Sequence, residues 1–342
     1  MAAKVKVGII GAGRIGKLHA ENLCFRVPEV EVVAIADIFE EAARKCAESC
    51  NIPAYYTDPR KIIEDKNIEA VVICSSTDTH SQFIEESAAA GKHIFCEKPI
   101  DFSLERIDKA LSAVEKAGVK LQIGFNRRFD PSMKRVHDLV ASGKLGTPHI
   151  LRISSRDPQP PPLSYIKVSG GMFLDMTIHD FDMARYLMGD EVDEIYAAAG
   201  VMVDPAIGEA GDVDTAVITL RFRNGSIGTI DNSRQAVYGY DQRVEVFGSK
   251  GAALVHNNKP DSVEISTAEA VCTSLPLFFF VERYTEAYIA EIKDFVVAIT
   301  EDKPVPVTGW DGRVPVVMGY AAMKSYRENR PVKLSEIDPG WK

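Results

Sequence analysis

The chain has no apolar run long enough to cross a bilayer, so no membrane partner is expected. It also has no dense stretch of Lys or Arg. Acidic residues outnumber basic ones, 49 to 40, for a net charge of −9. That balance argues against a nucleic-acid partner, whose phosphates need a basic face. Cysteine is sparse: Cys24, Cys46, Cys50, Cys74, Cys96 and Cys272 are the only six. Cys46 and Cys50 stand one helical turn apart, but no nearby Cys or His pair completes a zinc set. Reduced thiols and no metal are the expectation. A leader is not expected either. Met1-Ala2-Ala3-Lys4 runs straight into a strand pattern, which fits a cytoplasmic protein. Internal repeats and low-complexity tracts are missing. What remains is an ordinary globular composition with length for about two domains.

The most informative stretch is near the start. A strand pattern, Val5 to Ile10, runs into Gly11-Ala12-Gly13-Arg14-Ile15-Gly16, and a helix pattern follows. Gly11 permits a tight turn, Gly13 lets backbone approach a pyrophosphate, and Gly16 allows close helix packing. The pyrophosphate would rest on the helix N-terminus, where free amides and the dipole favour an anion. Glu31 to Asp37 reads as the next strand. Its terminal carboxylate lies about 20 residues beyond Gly16, the distance at which an acid meets the adenosine ribose diol. Ile38, Phe39, Glu40 and Glu41 follow it, with no Arg for a 2′-phosphate. The pattern predicts NAD rather than NADP.

Strand and helix alternate through residue 124. Strands are expected near 4–10, 31–37, 54–56, 69–75, 93–97 and 119–124. Helices are expected near 14–26, 40–50, 59–66, 80–91 and 103–118. This rhythm predicts a doubly wound parallel sheet in an N-terminal Rossmann domain, residues 1–124. After Phe125 the pattern changes. A helix over 131–143 and a strand over 147–156 precede the stiff run Asp157 to Pro162. Thr215–Arg223 and Ser226–Ser233 flank Asn224-Gly225, a hairpin signal. A second hairpin spans Gln242 to His256. The rest of the chain, residues 125–342, therefore predicts an α+β domain with an open, largely antiparallel sheet covered on one face by helices. One such helix is expected over 282–300, with Tyr284, Tyr288, Ile292, Phe295 and Ile299 on one stripe. The uncovered sheet face is a natural place to self-associate.

Segment 171–188 carries the chemistry. At helical spacing Asp175, His179 and Asp182 share a face, and apolar residues cover most other directions. An acid–His–acid stripe on a helix apolar nearly all round points into a pocket. The competing reading is a polar face toward water, flanked by Asp180 and Arg185. His is the usual base near neutral pH, and a carboxylate one turn away can orient it. Glu97-Lys98-Pro99 ends the fifth strand, where ligands lie in open α/β sheets.

These residues together resemble the glucose–fructose oxidoreductase / inositol dehydrogenase (Gfo/Idh/MocA) family. The likeness rests on Gly11 to Gly16, Cys96-Glu97-Lys98-Pro99, Gly124 to Phe129 and Asp175-x-x-x-His179, and covers essentially the whole chain. Asn126-Arg127-Arg128-Phe129 and Tyr238-Gly239-Tyr240-Asp241 look most like its inositol-oxidising members, although Ser155 and Asp157 stand where some of those have His and Asn. The resemblance implies an NAD-dependent dehydrogenase of a cyclic polyol, and usually a homotetramer. It implies Lys98, Asp175 and His179 as the catalytic set, and Lys98, Arg127, Asp157, Asp175, His179, Asp182 and Tyr240 around the substrate. Around the cofactor it implies Gly11 to Gly16, Asp37, Ile38, Ser75, Ser76, Thr77, His80, Glu97 and Lys98. Ser75, Ser76, Thr77 and His80 would form the loop beside the nicotinamide. Three alternatives stay open at this point: a redox-silent NAD sensor, a metal-dependent hydrolase, and a dehydrogenase of an aldose or sugar acid gripped by Arg127 or Arg128.

Overall fold

The computed structural model describes residues 4–341. The chain divides into two compact units. The first holds the residues up to Phe129 together with Glu286–Val316. The second holds Asp130–Thr285 and the residues from Val317 onward.

Six parallel strands form the first sheet: β1 (Val5–Ile10), β2 (Val30–Ala36), β3 (Tyr55–Tyr56), β4 (Ala70–Ile73), β5 (His93–Glu97) and β6 (Leu121–Gly124). Their order is β3-β2-β1-β4-β5-β6. The order reverses between β1 and β4, which opens a crevice at the strands' C-terminal ends. Every residue of β4 is buried, as a strand covered on both faces requires. Helix α1 (Arg14–Arg26) follows β1 directly. The helix Leu104–Ala117 starts at Ser103, whose side chain accepts the Arg106 amide, and stops at Gly118 with φ +68°. Two helices differ from expectation. Only Arg60–Ile63 of the 59–66 segment is α-helical. The helix expected from residue 80 begins at Thr77, so Thr77 and His80 lie in its first turns and only Ser75 and Ser76 precede it.

The second unit carries β7 (Pro148–Arg156), β8 (Val192–Gly200), β9 (Thr215–Phe222), β10 (Ile227–Ser233), β11 (Asp241–Gly248) and β12 (Gly251–Val255). A separate hairpin, β13 (Glu264–Ser266) with β14 (Val271–Thr273), precedes the short β15 (Val332–Lys333). The main sheet runs β12-β11-β7-β10-β9-β8-β15. It is antiparallel except where β10 lies parallel to β7. Both expected hairpins form, β9–β10 and β11–β12. Along β9 Ala216, Ile218, Leu220 and Phe222 are buried while Val217 is exposed. The helix Thr177–Met188 packs on β7 and β10. The helix expected over 282–300 is broken at Tyr284 into Phe280–Arg283 and Thr285–Thr300. From Glu286 its longer part belongs to the first unit. Ile292, Phe295 and Val296 join the core built on Val5, Val7, Ile9, Val72 and Phe95.

Candidate active site

The turn after β1 is shaped by its glycines. Gly11 has φ +103°, and a Cβ there would collide with the Cys74 carbonyl. A Cβ on Gly16 would strike the Gly11 carbonyl, so the third glycine lets α1 close over the turn. At Gly13 nothing lies within 4 Å of where a Cβ would stand. Gly13 is also the N-cap of α1, with no side chain on the first-turn amides. The cradle is therefore open where a pyrophosphate would rest, and its amides face it uncapped. Asp37, just beyond β2, accepts the Ala12 amide at Oδ2 (2.7 Å) and the Phe39 amide at Oδ1 (2.9 Å). Each oxygen keeps a lone pair for a ribose hydroxyl. Ile38 and Phe39 are exposed beside it, and Arg14 is exposed at the helix start. These residues fit an adenine dinucleotide with a free 2′-hydroxyl.

The ends of β4 and β5 are stitched together. Ser75 Oγ lies 2.7 Å from Thr79 Oγ1, and Thr79 donates to the Ser76 carbonyl. His80 lies between the two strand ends, with Nδ1 2.8 Å from the Pro99 carbonyl oxygen and Nε2 2.9 Å from that of Ser75. Burial pushes the His80 pKa below its ordinary value, although both carbonyls favour the charged ring. Lys98 follows β5 and is half-buried. Glu97 turns its carboxylate inward, onto His19. Arg127 is buried in the 3₁₀ turn Asn126–Phe129, and Arg128 is paired with Asp311 at 2.9 Å.

In the second unit the 171–188 segment is not one α-helix. Met172–Met176 forms a π turn, closed by the Thr177 amide donating to the Met172 carbonyl. The helix proper is Thr177–Met188. Asp212 braces its start: both carboxylate oxygens lie 3.0 Å from the Met172 amide, and a Cβ on Gly171, which has φ +76°, would collide with them. π turns are frequent at functional sites. Asp175 lies on this turn. His179 is half-buried in the first turn of the following helix, and Asp182 is buried completely further along. Asp180, a flank only in the competing reading of a water-facing helix, is also buried and accepts from Asn232 Nδ2 at 2.8 Å. Tyr240 is buried against the edge of Tyr284.

The residue that organises this side was not among those expected. Arg234, just beyond β10, is 3% exposed. Its Nη1 and Nη2 lie 3.3 Å from Asp175 Oδ2, and Nη1 lies 3.5 Å from Asp157 Oδ2. Burial pulls its pKa down, but the charges of Asp175, Asp157 and Asp212 prevail and raise it. Asp175 Oδ1 accepts the Tyr165 hydroxyl at 2.9 Å. The structure thus brings Asp157 and Asp175 onto one guanidinium. The only sequence signal was an Arg one residue past a hairpin strand. The cysteines are unpaired thiols, and burial lifts Cys24 and Cys46 to about 12. No described helix is long and apolar enough to cross a membrane.

Comparison with known proteins bears on both units. Residues 5–125 match the oxidoreductase family described as an NAD-binding Rossmann fold, and residues 133–254 match the GFO/IDH/MocA C-terminal domain. The chain is 50% identical over 333 residues to the myo-inositol 2-dehydrogenase of Thermotoga maritima, covering 97% of this chain and 99% of that one. It is 46% identical over 332 residues to the inositol 2-dehydrogenase of Rhizobium meliloti, again 97% and 99%. The crystal structure of scyllo-inositol dehydrogenase from Lactobacillus casei, with bound NAD(H) and scyllo-inositol, gives a TM-score of 0.91 at 29% identity. It covers 97% of this chain and 99% of that chain. With one family's two domains matched in succession and relatives aligned end to end, the chain belongs to the GFO/IDH/MocA family of NAD-binding oxidoreductases.

Proposed function

We propose that this chain is an inositol 2-dehydrogenase, oxidising one ring hydroxyl of myo- or scyllo-inositol to a ketone with NAD. The observation that carries it is the Asp157–Arg234–Asp175 cluster beside His179. Carboxylates held on a buried cation offer acceptors without a large net charge. That suits an uncharged ligand rich in hydroxyls better than a dianion. End-to-end identity with inositol 2-dehydrogenases supports the same substrate.

The chemistry that NAD would supply when bound is a hydride acceptor for the carbinol carbon. His179 accepts the hydroxyl proton on its imidazole. Asp175 steadies the imidazolium, and Tyr165 and Arg234 hold Asp175 in place. Lys98 donates from Nζ to the developing oxyanion. Arg127, Asp157, Asp182 and Tyr240 bracket the remaining hydroxyls. Gly11 to Gly16, Asp37, Ile38, Ser75, Ser76, Thr77, His80 and Glu97 form or support the nucleotide side. The exposed sheet face bearing Val217, Ile227, Phe247 and Leu254 is the surface through which copies assemble into a homotetramer in the cytoplasm.

The test is NADH formation across inositol isomers, hexoses and sugar acids. Inositol should give the highest kcat/KM, and deoxy analogues should fail at the reacting position. A site that bonds each hydroxyl rejects an analogue lacking one by roughly 10⁴. Oxidation of a hexose or sugar acid but of no inositol isomer would replace this reading with the aldose one.

A further inference from the structure

Three ionisable side chains meet inside the first unit, away from solvent. His19 comes from α1, Glu97 from the end of β5, and Glu291 from the helix Thr285–Thr300. His19 and Glu291 are 0% exposed and Glu97 is 9% exposed. His19 Nε2 lies 2.7 Å from Glu97 Oε1 and 4.0 Å from Glu291 Oε1. The rings of Phe95 and Tyr288 meet His19 edge-on, and the thiols of Cys74 and Cys96 lie in the same interior.

The donor set could suggest a divalent ion, but the geometry does not. Two ligands each about 2.0–2.1 Å from a tetrahedral zinc stand roughly 3.3 Å apart. The 2.7 Å separation of His19 from Glu97 is a hydrogen bond. What the cluster shares is therefore a proton. Burial, and then the charge of Glu97, push the Glu291 pKa well above the usual carboxylate range. Neither Glu291 oxygen nor His19 Nδ1 has a hydrogen-bond partner among the described residues. Burial thus favours a neutral Glu291.

Glu97 precedes Lys98 in the chain. Its carboxylate is wedged against Gly124, where a Cβ would come within 3.1 Å of it. On the other side of Lys98, the Pro99 carbonyl is held by His80. Each neighbour of the lysine is thus tied to a buried histidine, Glu97 through its carboxylate and Pro99 through its carbonyl.

We propose that His19 is a positioning residue for Lys98: its hydrogen bond holds Glu97 in one orientation and so fixes the strand end from which the lysine side chain departs. This rests on the assignment of Lys98 to the reaction. His19 acts through Glu97.

The experiment compares the full chain with His19→Leu, His19→Asn, His19→Gln and Lys98→Ala. Each is measured for kcat, KM, NAD affinity and melting temperature. His19→Leu should lose roughly 10–100-fold in kcat, since misplacing a catalytic group by about 1 Å costs on that order. KM and NAD affinity should stay within about threefold, the split expected when only transition-state contacts are lost. His19→Gln, which keeps a donor, should recover most of the rate. If His19→Leu does not fold, His19→Asn, too short to reach Glu97, should show the same loss. Normal kcat in folded His19→Leu or His19→Asn beside an inactive Lys98→Ala overturns the positioning role. Normal kcat in Lys98→Ala overturns the lysine assignment, and this inference with it.

Discussion

Arg234 and Asp175 face each other across 3.3 Å, with both terminal nitrogens of the guanidinium on one carboxylate oxygen. The pair joins the end of β10 to the π turn that precedes His179. Its backbone is held as well, because the Arg234 amide donates to the Asp214 carbonyl at 2.8 Å. Replacing Arg234 by Met leaves Asp175 and Asp157 without their cation, a penalty on the order of 3 kcal/mol. Arg234→Met should lower kcat/KM by roughly 10²-fold, and Arg234→Lys should not restore it, since a point charge cannot span both acids. Normal kcat/KM in either variant would detach Arg234 from the substrate side.

Asp37 is the proposed determinant of nucleotide choice. Its carboxylate is braced by the Ala12 and Phe39 amides, and no basic residue stands at 38–41. A 2′-phosphate there would meet a fixed negative charge. Removing the carboxylate should weaken NAD binding by about 1.5–3 kcal/mol, the worth of a hydrogen bond to a charged group. Asp37→Ser should therefore raise KM for NAD and narrow the gap to NADP. Comparable kcat/KM with both nucleotides before any substitution would refute this.

The glycine turn after β1 was legible because its signals are local. Gly11, Gly13 and Gly16 act within one turn of chain, while Asp37 was read from its place after β2, although its carboxylate reaches the Ala12 amide 25 residues away. The hairpins around Asn224-Gly225 and Gly248 to Gly251 were legible for the same reason. The packing around Asp175 was not. The start of the π turn is braced by Asp212, which reaches Met172 from 40 residues away. Arg234 meets Asp157 only because β10 lies parallel to β7 in one register, Ser233 opposite Arg156. The stripe Tyr284 to Ile299 announced a buried face but not which core receives it. The burial of Asp180 rests on Asn232, which stands 52 residues away.

Asp214 ties the acid stability of the second unit to its architecture. It is 0% exposed and accepts the amides of Met202 (2.7 Å), Val203 (2.8 Å) and Asp204 (3.0 Å) and the Thr215 hydroxyl (3.0 Å). Burial opposes its ionisation, but these donors prevail and lower its pKa. A carboxyl whose folded pKa lies below its unfolded value, about 3.9, stabilises the fold above that value. The contribution is lost as pH falls through the folded pKa. Asp214→Asn should cost on the order of 2–3 kcal/mol at neutral pH. It should also flatten the loss of stability below about pH 4, because the group that takes up the proton is gone. Urea unfolding at neutral and acid pH reads both effects, and an unchanged acid slope would assign that slope to other carboxyls.

His179 is the proposed base, and its setting gives the prediction its form. It stands in the first turn of the helix Thr177–Met188, where the helix dipole opposes a positive imidazole. Asp175, on the preceding π turn, is the proposed source of the compensating charge, and its own orientation is set by Tyr165 and Arg234. A protonated imidazole cannot accept the substrate proton, so turnover should fall on the acid side of neutrality. His179→Ala should keep NAD affinity, because the nucleotide cradle at Gly11 to Gly16 does not involve it. The same variant should lose roughly 10²–10⁴ in kcat near neutral pH and shed the acid limb of its pH profile. Asp175→Asn should fall short of that loss, since the ring is kept and only its counter-charge removed. Titration of NAD by calorimetry alongside kcat from pH 5 to 9 separates the two steps, and a near-normal rate with the acid limb intact in His179→Ala would move the proton to another group.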